Sequence, residues 1–360
     1  MKAQNFIPNT YKKTISNGSF IWSSPSNIAL VKYWGKKENQ IPANPSISFT
    51  LDNCKTTTTL HFEKLDRATA NYSFEVFLEG KVKADFKPKI ETFFKRIEKY
   101  LPFLKDYHFI IETSNSFPHS SGIASSASGM SALSLCLMSI EKILNPDMSD
   151  QFFNKKASFL ARLGSGSASR SIEGELIVWG KHKAIIDSSD IFGIKYPFDV
   201  HPNFSNYRDT ILLVDKGEKQ VSSTVGHNLM HGHAFAEQRF KQAHDNLDML
   251  IGIFKSGDLK AFIKVIESEA LTLHAMMMSS LPYFILMKPN TLQIINEIWT
   301  FRQATGLHVG FTLDAGANVH VLYPESESEI IDAFIKDSLA QYCQNNHFIS
   351  DQVGLGAKQL

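Results

Sequence analysis

Residues 1–80 carry the marks of β structure. The segments 56–65 (TTTTLHFEKL) and 72–80 (YSFEVFLEG) set β-branched and aromatic residues in partial alternation, and the second ends on a turn glycine. The period then changes. Ile90, Phe93, Phe94, Ile97 and Leu101 recur at helical spacing, which predicts an amphipathic helix over 89–101. YHFIIETS (107–114) reads as a strand, followed by a Ser/Gly loop and the apolar stretch 127–144. A helix over about 151–163 stops at Gly164, and GELIVWG (174–180) and HKAIID (182–187) read as paired strands.

After about residue 200 the order of elements changes. DTILLVD (209–215) predicts a strand, and long helical patterns follow over 227–255 and 259–276. A helix over 291–305 leads into GFTLDAGANVHVLY (310–323), a strand, a Gly-rich turn and a second strand, and a last helix lies near 327–342. These elements predict a mixed α+β protein of two domains, 1–200 and 201–360, with the boundary near 195–205. The 18 residues of 270–287 carry no formal charge, close to the minimum of about 17 for a membrane span. His274, Ser279, Ser280 and Pro282 interrupt them, so the expectation is a helix end, a turn and an extended piece, all buried.

Composition narrows the classes. At 360 residues, 43% hydrophobic and 20% charged, the chain is globular and long enough for two domains. Its 37 Lys+Arg against 36 Asp+Glu leave a net charge of +1, which gives no global field for nucleic acid or a membrane surface. Any bound anion needs a local site. Cys54, Cys136 and Cys343 form no CxxC pair, and residues 1–30 have no secretory pattern; both point to the cytoplasm.

Residues 118–129 (PHSSGIASSASG) are the sharpest local feature. A strand ends, serines and glycine follow, and an apolar helix begins, so free backbone N–H groups and a helix dipole face whatever occupies the loop. A phosphate suits that position; a serine N-cap on a tightly packed helix is the alternative. The GxxxxGK[ST] loop is absent. In 164–171 (GSGSASRS), small residues allow close backbone approach and Arg170 can grip a carboxylate or phosphate, although a helix end with a flexible turn explains them too. Lys32 and Lys36 flank Tyr33-Trp34, read either as cations beside aromatic surface or as snorkelling lysines on a solvated strand. Asp314 follows an apolar strand, as a cleft base or as a turn residue. KQVSSTVGH (219–227) leads into a helix, as a cap or an anion contact. The 13 histidines form no HExxH, His231 and His233 do not share a helical face, and no GxSxG elbow occurs. The methionines at 276–278 read as core filler.

Taken together, NIALVKYWGK (27–36), FPHSSGIASSASG (117–129), ARLGSGSASRS (161–171), VSSTVGH (221–227) and FTLDAGANVHVL (311–322) resemble the diphosphomevalonate decarboxylases, a branch of the GHMP kinase superfamily. The resemblance implies an N-terminal domain like ribosomal protein S5 domain 2, a ferredoxin-like C-terminal domain, and a cleft between them. It implies ATP-dependent decarboxylation of (R)-5-diphosphomevalonate to isopentenyl diphosphate, with Mg2+ accompanying ATP and a homodimer as the assembly. By family position Asp314 orients or deprotonates the 3-hydroxyl, Arg170 binds the carboxylate and Lys36 stabilises charge near the transferring phosphoryl group. Tyr33, Trp34, Gly35, Lys36, Ser165, Gly166, Ser167, Ala168, Ser169, Arg170 and Thr224 fall on substrate-binding positions, with Lys89 as the further basic residue. Ser120, Ser121, Gly122, Ser125, Ser126 and Ser128 fall on the nucleotide loop, with Lys219 and Ser223 near the phosphates and Ser126 as a magnesium contact. His119, Ser120 and Ser121 depart from the usual Pro-Thr-Ala-Ala-Gly loop, Ser169 stands where cysteine is frequent, and His227 replaces a common methionine, a change expected to matter little. The alternatives are a relative acting on mevalonate or its monophosphate, or a catalytically silent binding protein on the same fold.

Overall fold

Threonine-rich and aromatic segments favour a pleated surface with one face covered, and the first half of the chain builds one. The computed structural model describes residues 1–67, 69–118, 123–217 and 223–360, with backbone alone at 223 and 224. Strands β1 (Asn17–Val31), β2 (Ser46–Lys64), β3 (Ser73–Leu78), β4 (Lys81–Val82), β5 (Tyr107–Asn115), β6 (Leu176–Trp179) and β7 (Ile194–Lys195) share one sheet. Its spatial order runs β1-β2-β5-β3-β4, with β6 on β2 and β7 on β6; only the β3–β5 pair is parallel. Along β2, Thr56, Thr58, Leu60 and Phe62 are buried while Thr57, Thr59 and His61 are not, the period-2 pattern of a strand covered on one side.

Helices α1 (Lys87–Ile97), α2 (Ser125–Leu144) and α3 (Asp150–Gly164) cover that face. Ile90, Phe93, Phe94 and Ile97 of α1 are all buried, as the helical spacing requires. By length and composition α2 could cross a membrane, yet 83% of its apolar window is buried inside the protein, which makes it a core helix.

The second half contains β8 (Arg208–Leu212), α4 (Ser223–Asn228), α5 (Ala236–Ser256), α6 (Leu259–Met278), α7 (Pro289–Thr305), β9 (Gly310–Leu313), β10 (Val319–Tyr323), α8 (Ser328–Phe334) and β11 (Phe348–Gln352). Its sheet is antiparallel in the order β11-β8-β10-β9. One apolar core joins the halves: Ile28, Phe49 and Val178 pack with Ile211, Phe254 and Phe262.

Several expectations change. HKAIID is not a strand paired with β6. Ile186 is 84% exposed and Asp187 has φ 66°, so the segment turns, and β6 pairs with β2 and β7 instead. The helix expected over 227–255 is broken between Asn228 and Ala236, where Gly232 has φ +73°. The last helix loosens after Phe334 into a π-turn over Ile335–Leu339 and a 3-10 turn over Ala340–Tyr342. Nor is the extended piece after α6 wholly buried: Leu281, Tyr283 and Ile285 are exposed, while Phe284 and Leu286 pack against the small core of Trp34, Met230, Leu273 and Met277.

The chain then crosses back. Strand β12 (Lys358–Gln359) pairs with β1, and the N–H groups of Gly354 and Ala357 donate to the carbonyls of Thr50 and Ile172. Residues 353–360 thus attach to the first sheet, although they follow the second in sequence. In β11, Asp351 Oδ1 accepts from the N–H groups of Asp52 and Asn53 (2.8 and 2.7 Å), and Oδ2 accepts from Cys54 N–H (2.7 Å). This carboxylate thus accepts from three consecutive N–H groups of β2. Asp351→Ala is expected to lower stability by about 3 kcal/mol, with a smaller loss for Asp351→Asn, as measured by denaturant unfolding.

Candidate active site

The site begins where β1 ends. Lys32 is 1% exposed, and a buried ammonium is tolerated only when it is paired. Its Nζ lies 3.0 Å from Asp314 Oδ1, at the end of β9. Its backbone is fixed as well: the N–H donates to Glu269 Oε2 (2.8 Å), and the carbonyl accepts from Asn44 Nδ2 (2.9 Å) and Arg239 Nη2 (3.2 Å). Glu269, on α6, also accepts from both terminal nitrogens of Arg239 (3.1 and 2.5 Å) and from Asn246 Nδ2 (2.5 Å). Burial pulls the Lys32 pKa down, while the charges of Asp314 and Glu269 oppose that shift. The solvated, snorkelling alternative for Lys32 is therefore excluded.

Arg170 ends the tight turn Gly166–Arg170 and is 3% exposed. Its Nε donates to Asn27 Oδ1 (3.3 Å), its Nη1 donates to Ser46 Oγ (2.6 Å), and the guanidinium lies 5.7 Å from the Trp179 ring. Burial lowers its pKa to about 10, against the opposing charge of Asp314, so it stays cationic at neutral pH.

Lys32, Arg170 and Asp314 share a cavity of about 600 Å3. Tyr33, Trp34 and Lys36 line it from the segment after β1, Ser165, Gly166 and Ser167 from the turn after α3, and Ser125 and Ser126 from the start of α2. Lys89 reaches it from α1, and Val76, Phe86, Ile90 and Ile111 supply an apolar wall. Ala124, not a serine, is the N-cap of α2; its φ is 45° and it makes no side-chain cap. The Tyr33 hydroxyl is buried with no hydrogen-bond partner among the described residues, and burial raises its pKa.

Other expected site residues lie behind this surface. Ala168 and Ser169 are buried in the core, and Ser169 Oγ donates to the Gly166 carbonyl. Ser128 turns away from the cavity to share a 2.6 Å hydrogen bond with Thr56. Gly35 supports the turn: its φ is +93°, and an added Cβ would meet Phe240 and Ala43. Ser120, Ser121, Gly122 and Lys219 lie outside the described residues, as do the side chains of Ser223 and Thr224.

His227, whose replacement of methionine was expected to matter little, proves to be part of the wall. It is 7% exposed, with its ring centroid 4.2 Å from Tyr33 and 4.7 Å from Trp34, and its Nδ1 accepts from Gly35 N–H (3.0 Å). Asn27, Thr58, Thr113 and His227 are cavity residues that the motifs did not assign, and Lys32, singled out only as a cation beside aromatic surface, is braced from behind by Arg239 and Glu269. Nothing in the sequence sets Glu269 apart from Glu267 two residues earlier on the same helix.

Burial lowers the pKa of His227 to about 3, with Lys36 and Arg170 adding to the effect, and that of His274 to about 4. Both fall from an ordinary value of 6.5, so below that pH the unfolded chain takes up protons that the native state refuses. Stability is therefore expected to fall as pH drops through 6.5 toward 4, by about 2 kcal/mol per histidine between pH 7 and 5. Denaturant midpoints across that range should show it, and His227→Gln should flatten the slope.

Two family models match the chain: a diphosphomevalonate decarboxylase-like N-terminal domain over residues 24–191, and a mevalonate 5-diphosphate decarboxylase C-terminal domain over 210–358. The diphosphomevalonate decarboxylase of Gibberella zeae is 29% identical over 322 residues, covering 86% of this chain and 82% of that protein. That of Saccharomyces cerevisiae is 29% identical over 326 residues, covering 87% and 80%. The Enterococcus faecalis mevalonate diphosphate decarboxylase superposes with a TM-score of 0.80 at 26% identity, over 96% of this chain and 99% of that one. The Staphylococcus aureus enzyme gives 0.80 at 28% identity, over 96% and 98%. A further structure, MDDEF in complex with MVAPP, AMPPCP and magnesium, matches at 0.80 and 28%, over 96% and 99%. With both halves matched in order and the α+β fold of those enzymes reproduced, this chain belongs to the diphosphomevalonate decarboxylase family.

Proposed function

We propose that this chain converts (R)-5-diphosphomevalonate and ATP into isopentenyl diphosphate, ADP, phosphate and carbon dioxide. The observation that carries this reading is the ion pair of buried Lys32 with Asp314 in one cavity with Arg170. A tertiary hydroxyl is a poor leaving group, so the chemistry starts by phosphorylating it. Asp314 orients the 3-hydroxyl and receives its proton as the oxygen attacks the γ-phosphorus; the new O–P bond forms and ADP departs. Lys32, beside the Asp314 carboxylate, keeps that carboxylate oriented toward the hydroxyl, and Lys36 offsets the negative charge that develops on the transferring phosphoryl group. The C–O bond then breaks with its electrons leaving on phosphate, the carboxylate carbon departs as carbon dioxide, and the electrons of the broken C–C bond form the alkene. Arg170 holds the carboxylate in the orientation this elimination needs.

Tyr33, Lys36, Lys89 and the small residues Ser165 to Ser167 suit the substrate diphosphate, whose oxygens require donors and close backbone approach. The apolar wall of Val76, Phe86 and Ile90 suits a purine, and the uncapped start of α2 at Ser125 and Ser126 suits the nucleotide phosphates. Ser126, whose side chain is accessible, would hold the magnesium that accompanies ATP, and the ion would offset phosphate charge. Ser120, Ser121, Gly122, Lys219, Ser223 and Thr224 keep their roles by family position.

We further propose a cytoplasmic homodimer of two-domain chains divided near residue 200. Cys54, Cys136 and Cys343 are buried and free, which suits a reducing compartment, and exposed Leu281, Tyr283 and Ile285 give apolar surface for a second copy.

The decisive assay supplies Mg-ATP with mevalonate, its 5-phosphate or its 5-diphosphate and measures carbon dioxide and ADP together. Equal yields from the diphosphate alone are expected. ADP without carbon dioxide would make the protein a kinase, and carbon dioxide from the monophosphate would move it to a sister decarboxylase. Asp314→Asn should lower kcat by about 100-fold or more with KM little changed. Near-normal turnover by a folded variant would remove Asp314 from the chemistry.

A further inference from the structure

The His227 ring has one nitrogen already committed. A backbone N–H can only donate, so the 3.0 Å contact from Gly35 requires the lone pair on Nδ1. The ring is uncharged at neutral pH because it is buried against Tyr33 and Trp34, with Lys36 and Arg170 contributing further positive potential. A neutral imidazole with its lone pair on Nδ1 carries its single proton on Nε2. His227 lines the cavity, and among the described residues Nε2 has no recorded acceptor. A polar N–H left open at a binding wall is a donor kept for a ligand.

We propose that His227 is a substrate-binding residue that donates from Nε2–H to an anionic oxygen of bound diphosphomevalonate. This rests on the function proposed above. The arrangement has a physical logic. Lys36 and Arg170 already supply positive charge near the ring, and a third full charge would repel them in the empty site. An uncharged donor adds a directional contact without that repulsion. Gly35 thereby acts on the substrate through His227: its N–H selects the tautomer, and the tautomer sets which hydrogen faces the ligand.

The test combines spectroscopy on the unmodified enzyme with two variants. In protein carrying 15N-labelled histidine, assigned against His227→Met, the His227 ring should show bare Nδ1 and protonated Nε2 from pH 5.5 to 8.5. Adding diphosphomevalonate without ATP should shift the Nε2–H resonance. His227→Met fills similar space without a donor. It should raise KM for diphosphomevalonate about ten-fold or more, leaving kcat within about two-fold and KM for ATP unchanged. His227→Gln keeps a donor and should recover most of that loss.

A ring protonated at both nitrogens above pH 5.5, an Nε2–H unmoved by substrate, or an active His227→Met with unchanged KM for diphosphomevalonate would overturn the proposal. A defect confined to ATP would do the same. A purely structural role would lower the stability of His227→Met without moving the Nε2–H resonance or the substrate KM. Wild-type protein that neither binds nor turns over diphosphomevalonate would overturn the proposed function itself. Active wild type with an unaffected, folded variant would overturn only the role of His227.

Discussion

A lysine whose ammonium is out of water needs a carboxylate beside it, and that need ties together the two halves of this protein. Lys32 sits at the end of the first strand, 282 residues from the Asp314 that pairs its Nζ and 237 from the Glu269 that holds its N–H. Ordering the second half of the chain is therefore a condition for tolerating Lys32 in the first. The continuous core from Ile28 and Phe49 to Phe254 and Phe262 supplies the driving force, and the ionic cluster supplies the registry. Fold and site share the same contacts. A misplaced sheet would leave a bare charge in the interior as well as an incomplete cavity.

The surrounding charges explain how a nearly neutral chain can hold anions. With a net charge of only +1, the molecule offers little long-range attraction. Locally, Lys32, Lys36, Lys89 and Arg170 line one cavity in which Asp314 is the single acidic lining residue among the described residues. Burial sharpens that imbalance because a low dielectric weakens screening. Arg170 remains charged even with its pKa lowered to about 10, so the positive wall persists through the physiological range.

Much of the fold was legible because it rests on local periodicity. The spacing of Ile90, Phe93, Phe94 and Ile97 marks α1, and alternation along 56–62 marks the covered face of β2. The failures have physical causes. HKAIID has strand-like composition, but only His182 and Ile185 find buried places while Ile186 faces solvent. Ser128 belongs to a serine-rich loop by sequence, yet helical geometry turns it toward Thr56. The motif around Asp314 and Arg170 marked the cavity, whereas the burial of Lys32 depends on partners on other elements. His227 was undervalued for a similar reason: residue identity at one position does not reveal that a backbone N–H from Gly35 aims at its ring.

The return of the chain to the first sheet bears on how the protein is made. Trp22 and Ser23 pair with Gln359 and Lys358, and Ile21 receives a hydrogen bond from Leu360 N–H. A ribosome releases residues in order, so this stretch of β1 waits unprotected until Lys358 and Gln359 have emerged. During that interval its open N–H and C=O groups are a template for the wrong strand. The stretch that closes the edge is thus a late-arriving guard, and the danger of misassembly is greatest while the chain is still being synthesised.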